Sequence, residues 1–306
     1  MDKKVGLIGI GLVGTALTRV LLAQNFTVVG FDVDPDRQAA FEVLGGTSVQ
    51  SPAEVAASVP RVILSLPTSA IVRQVIECPD GLLTATPLPE ILIDTTTGDP
   101  TEVEAMGTYL LEHSIQYLDS PISGSSKEIA SRESAFIVGG DQASFEACSD
   151  IFAALSDNIL YVSETPSMGT RAKLAVNLVL GLNRLALAEG LVFAERLGLD
   201  PARALEIFSK TAAHSRALEM KGSQMVTGDF RSYGRLAQHR KDVGIMLAAA
   251  RELGVKLPLT EVHYRVLGDA VDAGDGELDN SAIIRQVRRM QDRTAITHRW
   301  IPPCPN

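Results

Sequence analysis

The 306-residue sequence predicts an α/β domain with a largely parallel sheet, then an all-helical domain, the two joined by one long apolar helix. Three observations predict this. Short β-type runs alternate with helix-type segments through the first half, strand-type runs stop after about residue 165, and the most apolar stretch, residues 174–194, begins just beyond that point.

The strand candidates are "VGLIG" (5–9), "TVVGFD" (27–32), "VILSL" (62–66), "EILID" (90–94), "IQYLD" (115–119), "AFIVGG" (135–140) and "NILYV" (158–162). From Gly169 to Arg289 only helical segments are expected, broken near Leu199-Asp200-Pro201, Gly228-Asp229, Leu257-Pro258 and Gly274-Asp275-Gly276. The proline-rich end "HRWIPPCPN" is expected to form a tail, 297–306.

Hydrophobic residues at 45% and charged residues at 21% are ordinary for a globular chain, so neither a disordered nor a fibrous protein is indicated. A formal net charge of −9 argues against partnership with nucleic acid or an anionic membrane, while a small anionic ligand in a locally cationic pocket stays compatible. Cys78, Cys148 and Cys304 lie far apart and show neither a disulfide framework nor zinc spacing, which points to a reducing, cytoplasmic setting. The opening "MDKKVGLIGIG" runs into strand-like sequence and is too short and glycine-rich for a secretory signal. Residues 174–194 reach membrane-spanning length, but Arg184, Glu189, Asn177, Asn183 and two glycines interrupt them. A helix buried on nearly all sides is the expectation.

Gly9-Ile10-Gly11-Leu12-Val13-Gly14 follows the first strand and opens the helix "LVGTALTRVLLAQ". In that context G-x-G-x-x-G marks a Rossmann-type dinucleotide-binding turn. Gly9 allows the tight turn, Gly11 lets backbone approach a pyrophosphate, Gly14 lets helix and sheet pack closely, and the helix N-terminus offers N–H groups and positive dipole. Asp32 ends the second strand at the spacing where an acid meets the adenine ribose hydroxyls. With Asp34 and Asp36 beside it, it predicts NAD over NADP, and Arg37 is the one nearby residue able to favour NADP. The expected division is therefore an NAD-binding domain over 1–165 and a substrate or oligomerisation domain over 166–296.

Further stretches fall in order: "LPTS" (66–69), "DTTTGDP" (94–100), "LDSPISGS" (118–125), "GTRAKLAVN" (169–177) and "RKDVGIM" (240–246). With the glycine turn, they resemble the β-hydroxyacid dehydrogenase family, whose members include 3-hydroxyisobutyrate dehydrogenase and tartronate semialdehyde reductase, over residues 3–290. The resemblance implies a 6-phosphogluconate dehydrogenase-like helical domain. It also implies cofactor contacts from Leu66, Pro67, Thr96 and Lys241, a substrate carboxylate held by Ser123 and Gly124, and catalysis by Lys173 with Asn177 beside it.

These roles make chemical sense. A hydroxyl and a glycine N–H can both donate to a carboxylate, and residues 173 and 177 share a helix face. Oxidising an alcohol requires a base for the hydroxyl proton as hydride leaves carbon. A lysine among Ala172, Leu174, Ala175 and Val176 loses hydration, and a second ammonium such as Lys241 would lower its proton affinity further. In reverse the ammonium protonates the alkoxide, so no metal is required. The plainer alternatives are a surface lysine covering apolar neighbours at 173 and a solvated charged face at Lys241-Asp242. His113, His214, His239, His263 and His298 form no spaced constellation, and none is assigned to chemistry.

After Gly124 the chain departs from the family's small residues: Ser125-Ser126-Lys127-Glu128, then Arg132-Glu133. Either Ser125, Ser126 or Lys127 reads a further hydroxyl or acidic group on the substrate, or this is a polar loop facing solvent. The expected activity is NAD-dependent oxidation of a small β-hydroxyacid, or the reverse, by a homodimer or homotetramer. A catalytically silent NAD-binding scaffold and another reductase on the same scaffold, such as an imine reductase, are the alternatives.

Overall fold

The computed structural model describes residues 3–294 of the chain; the expected tail 297–306, with Cys304 and His298, lies outside the described residues. The chain divides into two compact units between Asn177 and Leu178.

The first unit alternates strands and helices: β1 (Lys4–Ile8), α1 (Leu12–Ala23), β2 (Thr27–Phe31), α2 (Pro35–Val43), β3 (Thr47–Ser48), α3 (Pro52–Ser58), β4 (Arg61–Leu64), α4 (Ser69–Glu77), β5 (Ile91–Asp94), α5 (Pro100–Glu112), β6 (Gln116–Asp119), β7 (Ile122–Ser123), α6 (Ser126–Ala130), β8 (Ala135–Gly139), α7 (Gln142–Ala147), α8 (Ser149–Leu155) and β9 (Asn158–Ser163). The strand order is β3-β2-β1-β4-β5-β6-β8-β7, with β9 also on β8. Pairing is parallel from β3 to β6 and between β8 and β9, but β8 runs antiparallel to β6 and β7. All seven strands expected from sequence are present. The additional β3 and β7 are two residues each, too short to show a pattern.

Alternation along the strands builds a core on each face of the sheet. Val5, Leu7, Ile63 and Ile93 pack with Leu17 and Leu21 of α1 and Ile151 and Phe152 of α8. Ile8, Val62, Leu64 and Leu92 point the other way, onto Val55, Val72 and Leu110 of α3, α4 and α5. Tight approach depends on missing side chains, as at Gly30, where a Cβ would stand 2.7 Å from the Phe41 ring.

The long helix α9 (Met168–Arg196) passes from one unit into the other. By length and composition it could cross a membrane, and its expected burial on nearly all sides is corrected here. Leu174, Leu185, Leu187, Ala188, Leu191 and Val192 are buried, but Val176, Val179 and Phe193 are exposed, the last by 66%. Hydropathy averaged around a helix does not register that its apolar residues lie on two faces, of which this chain covers one.

The second unit continues with α10 (Pro201–Ser209), α11 (Arg216–Thr227), α12 (Leu236–Glu252), α13 (Pro258–Ala270) and α14 (Ile283–Thr294). Its breaks follow local chemistry: Asp200 caps α10 with Pro201 at its first position, and Gly228 ends α11 in the left-handed region. Buried Asp279 ties the connections together, accepting from Lys221 Nζ at 2.8 and 2.9 Å and from the N–H groups of Tyr233 and Ser281 at 3.0 Å each.

Candidate active site

Hydrogen bonds carry the parallel ladder one residue past the strand ends along a single edge of the sheet. Gly9 N–H donates to Phe31 O at 2.9 Å, Ser65 to Ile8 at 2.9 Å, Thr95 to Leu64 at 2.9 Å and Ser120 to Asp94 at 2.8 Å. The loops after β1, β2, β4, β5 and β6 are thereby held side by side at their carboxyl ends, the edge at which open α/β sheets bind ligands.

The glycine turn fits a dinucleotide. Gly9 has φ of +93°, and a Cβ there would lie 2.3 Å from Ser65 O; one on Gly14 would lie 2.0 Å from Gly9 O. These two glycines are required by the fold itself. Gly11 is different, for its Cβ position meets nothing nearer than Arg37 Nη1 at 3.8 Å, so the space before it is open. Gly11 also caps α1 without a side-chain hydrogen bond, whereas the helices after β2, β4 and β5 are capped by Asp34, Thr68 and Asp99. The first turn of α1 thus starts without a side-chain cap, an arrangement suited to phosphate oxygens. Ile10 is buried, Val13 packs against the core and Leu12 is exposed.

Asp32 is 5% exposed. Its Oδ2 accepts Ile10 N–H at 2.6 Å and its Oδ1 accepts Asp34 N–H at 3.0 Å. Arg37 stands over this corner, Nη1 3.6 Å from Asp32 and Nε 3.3 Å from Asp34. Leu66, followed by Pro67, donates its N–H to Thr96 Oγ1 at 3.3 Å, which joins two of the expected cofactor positions across β4 and β5.

Ser123 ends β7 and pairs with Ala135 of β8. Gly124 follows with φ of +154°, and a Cβ there would stand 2.7 Å from Ser134 Cβ, so only glycine suits this corner. The departure from the family begins at a capping box: Glu128 accepts from Ser125 N–H at 2.9 Å and Ser125 Oγ at 3.1 Å. Ser125 is thereby occupied in starting α6, which places Lys127 exposed on its first turn.

Lys173 and Asn177 are buried on one face of α9, at 5% and 7% exposure. The start of this helix is fixed by residues that sequence reasoning does not single out. Asp119, at the end of β6, accepts Thr170 N–H on Oδ2 and Thr170 Oγ1 on Oδ1, both at 2.7 Å. Next to it Tyr117 donates its hydroxyl to Asp94 at 2.6 Å. Burial pushes the Asp119 carboxyl up to about 7, although the Thr170 hydrogen bonds pull it down. Burial likewise raises Asp94, and Tyr117 is raised well above its ordinary range by burial and then by Asp94. The only trace of this network in the sequence is polar residues inside apolar runs.

Lys241 lies on α12 in the helical unit, its Nζ 3.0 Å from Asp242 Oδ1. The histidines do meet in one place: the His239 and His263 rings lie 5.2 Å apart against Gly181. Burial, followed by the charge of Arg184, pushes His263 down to about 4. Among the described residues, no three His, Cys, Asp or Glu side chains gather as a metal site.

Comparison with known proteins agrees with this architecture. Residues 4–163 match the family model for the NAD binding domain of 6-phosphogluconate dehydrogenase. Residues 167–287 match that for the NAD-binding domain of NADP-dependent 3-hydroxyisobutyrate dehydrogenase. The chain is 31% identical to 2-(hydroxymethyl)glutarate dehydrogenase of Eubacterium barkeri, over 95% of this chain and 97% of that protein. It is 29% identical to 2-hydroxy-3-oxopropionate reductase of Escherichia coli K12, over 94% and 98%. The crystal structure of 3-hydroxyisobutyrate dehydrogenase from Salmonella typhimurium superposes with a TM-score of 0.84 at 25% identity, covering 92% of this chain and 99% of that one. The chain belongs to the β-hydroxyacid dehydrogenase family, NAD(P)-dependent oxidoreductases acting on CH–OH groups.

Proposed function

We propose that the protein interconverts a small β-hydroxyacid and its semialdehyde or ketoacid, with Lys173 as general base in oxidation and general acid in reduction. The observation that carries this reading is the burial of Lys173 beside Asn177. Desolvation disfavours an ammonium relative to an amine, so a lysine held away from water suits a proton transfer near neutral pH. A bound nicotinamide would supply or take up the hydride at the substrate carbon. Lys173 takes or returns the hydroxyl proton, Asn177 donates to the substrate, and Ser123 Oγ with Gly124 N–H holds its carboxylate. Gly9 to Gly14, Asp32, Leu66, Pro67, Thr96 and Lys241 are assigned to the cofactor. No metal takes part in this reading.

NAD is the proposed cofactor, because Asp32 and Asp34 concentrate negative charge where a 2′-phosphate would sit and already engage Arg37. Lys127 is the proposed reader of a second acidic or hydroxyl group, being an exposed cation three residues beyond Gly124. A glutarate in the name of one relative supports a second carboxylate. The exposed apolar face of α9 supports a homodimer or homotetramer, and the free thiols Cys78 and Cys148 support a reducing compartment, hence the cytoplasm.

A panel of hydroxyacids, with and without a second carboxylate, assayed with NAD and NADP, tests the proposal. Reduced nicotinamide should form with NAD and at least one β-hydroxyacid. Cofactor binding with no turnover on any member would favour a silent scaffold instead. Identical preferences in wild type and Lys127→Ala would remove Lys127 from recognition.

A further inference from the structure

Asp119 stands between the two halves of the proposed chemistry. Behind it, β6 runs through Ser120 and Pro121 into Ser123 and Gly124. In front of it, both carboxylate oxygens grip Thr170 at 2.7 Å in the first turn of α9, one turn before Lys173. The grip is close-fitting. Asp119 is 1% and Thr170 0% exposed, and a Cβ on Gly169 would stand 2.6 Å from Asp119 O and 2.4 Å from Ile137 O. The helix start is therefore held at the end of β6 by one side chain, in the manner of an N-cap supplied from a neighbouring strand, and lies close against the β8 backbone.

We propose that ionised Asp119 is a positioning residue for the reaction, fixing the first turn of α9 so that Lys173 faces the carboxylate anchors Ser123 and Gly124. The inference rests on the reading of Lys173 as the catalytic residue. A proton on Asp119 Oδ2 sets a donor against the Thr170 N–H, and one on Oδ1 turns the Thr170 hydroxyl from donor to acceptor, so only the ionised carboxylate accepts both Thr170 hydrogens. A displacement of about 1 Å at a reacting group can cost about 100-fold in rate.

The groups that govern this ionisation are few. Asp94 on the adjacent strand β5 adds like charge, and Tyr117 on β6 gives its hydroxyl to Asp94. β8, "AFIVG", brings no titratable side chain. At the start of α9, Arg171 pairs at 2.8 Å with Glu104 of α5, and both are half exposed. With burial as the dominant cause, Asp119 titrates at about 7, inside the working range of an enzyme.

The reduction direction isolates the effect, because there Lys173 must be an ammonium and loses activity only on the alkaline side. The experiment measures kcat and KM against pH for wild type, Asp119→Asn, Thr170→Val, Thr170→Ser and Lys173→Ala. The oxo acid is 2-hydroxy-3-oxopropionate, or that of the best hydroxyacid in the panel. Wild type should lose kcat as pH falls through about 7. Asp119→Asn should lack that acid limb and run at least about 10-fold slower above it, with cofactor affinity unchanged. Thr170→Val should lower kcat while Thr170→Ser keeps it. Asp119→Asn with wild-type kcat and an intact acid limb, or Thr170→Val with wild-type kcat, overturns the proposal while leaving Lys173 in place. Full activity in Lys173→Ala overturns the catalytic reading itself, a separate failure.

Discussion

The Asp32 carboxylate accepts the backbone N–H of Ile10 at 2.6 Å, so the acid at the end of β2 is fastened to the glycine turn before any ligand arrives. A carboxylate has about four lone-pair sites; two accept the N–H groups of Ile10 and Asp34, and Arg37 pairs with Oδ2 at 3.6 Å. In the proposed cofactor site, its remaining acceptor capacity would serve the ribose hydroxyls. Asp32→Asn should lower kcat/KM for NAD by about 10- to 100-fold, the effect of a hydrogen bond to a charged group, and shift the NAD-to-NADP ratio toward NADP. Steady-state kinetics with both cofactors check this; an unchanged ratio would remove Asp32 from cofactor choice.

Ser123 and Gly124 make separable predictions. Ser123→Ala removes one proposed donor to the substrate carboxylate and should raise KM for the hydroxyacid by about 10-fold or more, leaving KM for NAD unchanged. Gly124→Ala should be more severe, since alanine meets both the unfavourable φ of +154° and Ser134 at 2.7 Å. Its kcat/KM should fall further than that of Ser123→Ala.

Val179 and Phe193 are 57% and 66% exposed on α9. Apolar residues this exposed along one helix belong to an interface between copies in the proposed assembly. Phe193→Glu should lower the molar mass measured by light scattering at micromolar protein, and a wild-type protein that is already monomeric would contradict the assembly.

His263 gives a pH prediction for stability. Its folded value of about 4 lies below the ordinary 6.5, because burial and Arg184 oppose its charge. The stability tied to neutral His263 is complete above pH 6.5 and is lost as pH falls toward 4. Asp119 works in the opposite sense: raised to about 7, it disfavours the folded state as pH rises from 3.8 to about 7. The Tm advantage of wild type over His263→Gln should therefore shrink steadily as pH falls through this window. A constant difference would contradict a buried neutral imidazole.

Much of the architecture was legible because apolar runs such as "VILSL" and "EILID" make continuous strands, and because Asp200-Pro201 and Gly228 mark helix ends in their own residues. The two-residue β7 was not legible, although it carries Ser123, since two residues hold no period. The glycine turn is local and could be read from spacing, whereas Lys173 and Asn177 stood out through the resemblance carried by the neighbouring motifs. The Asp119–Thr170 grip joins residues far apart in sequence and the His239–His263 contact joins two helices, so only the folded chain reveals them. The two-faced α9 was misjudged because composition reports how apolar a helix is, not which of its sides the fold covers.

The central claim is that the Lys173 amine moves the substrate hydroxyl proton, and the turnover number of Lys173→Ala tests it most directly, with cofactor affinity followed by nicotinamide fluorescence. The expected result is kcat lowered by about 100- to 10,000-fold, the range of general acid–base catalysis, with dinucleotide affinity unchanged. A variant that binds cofactor normally and turns over within a few-fold of wild type would contradict it.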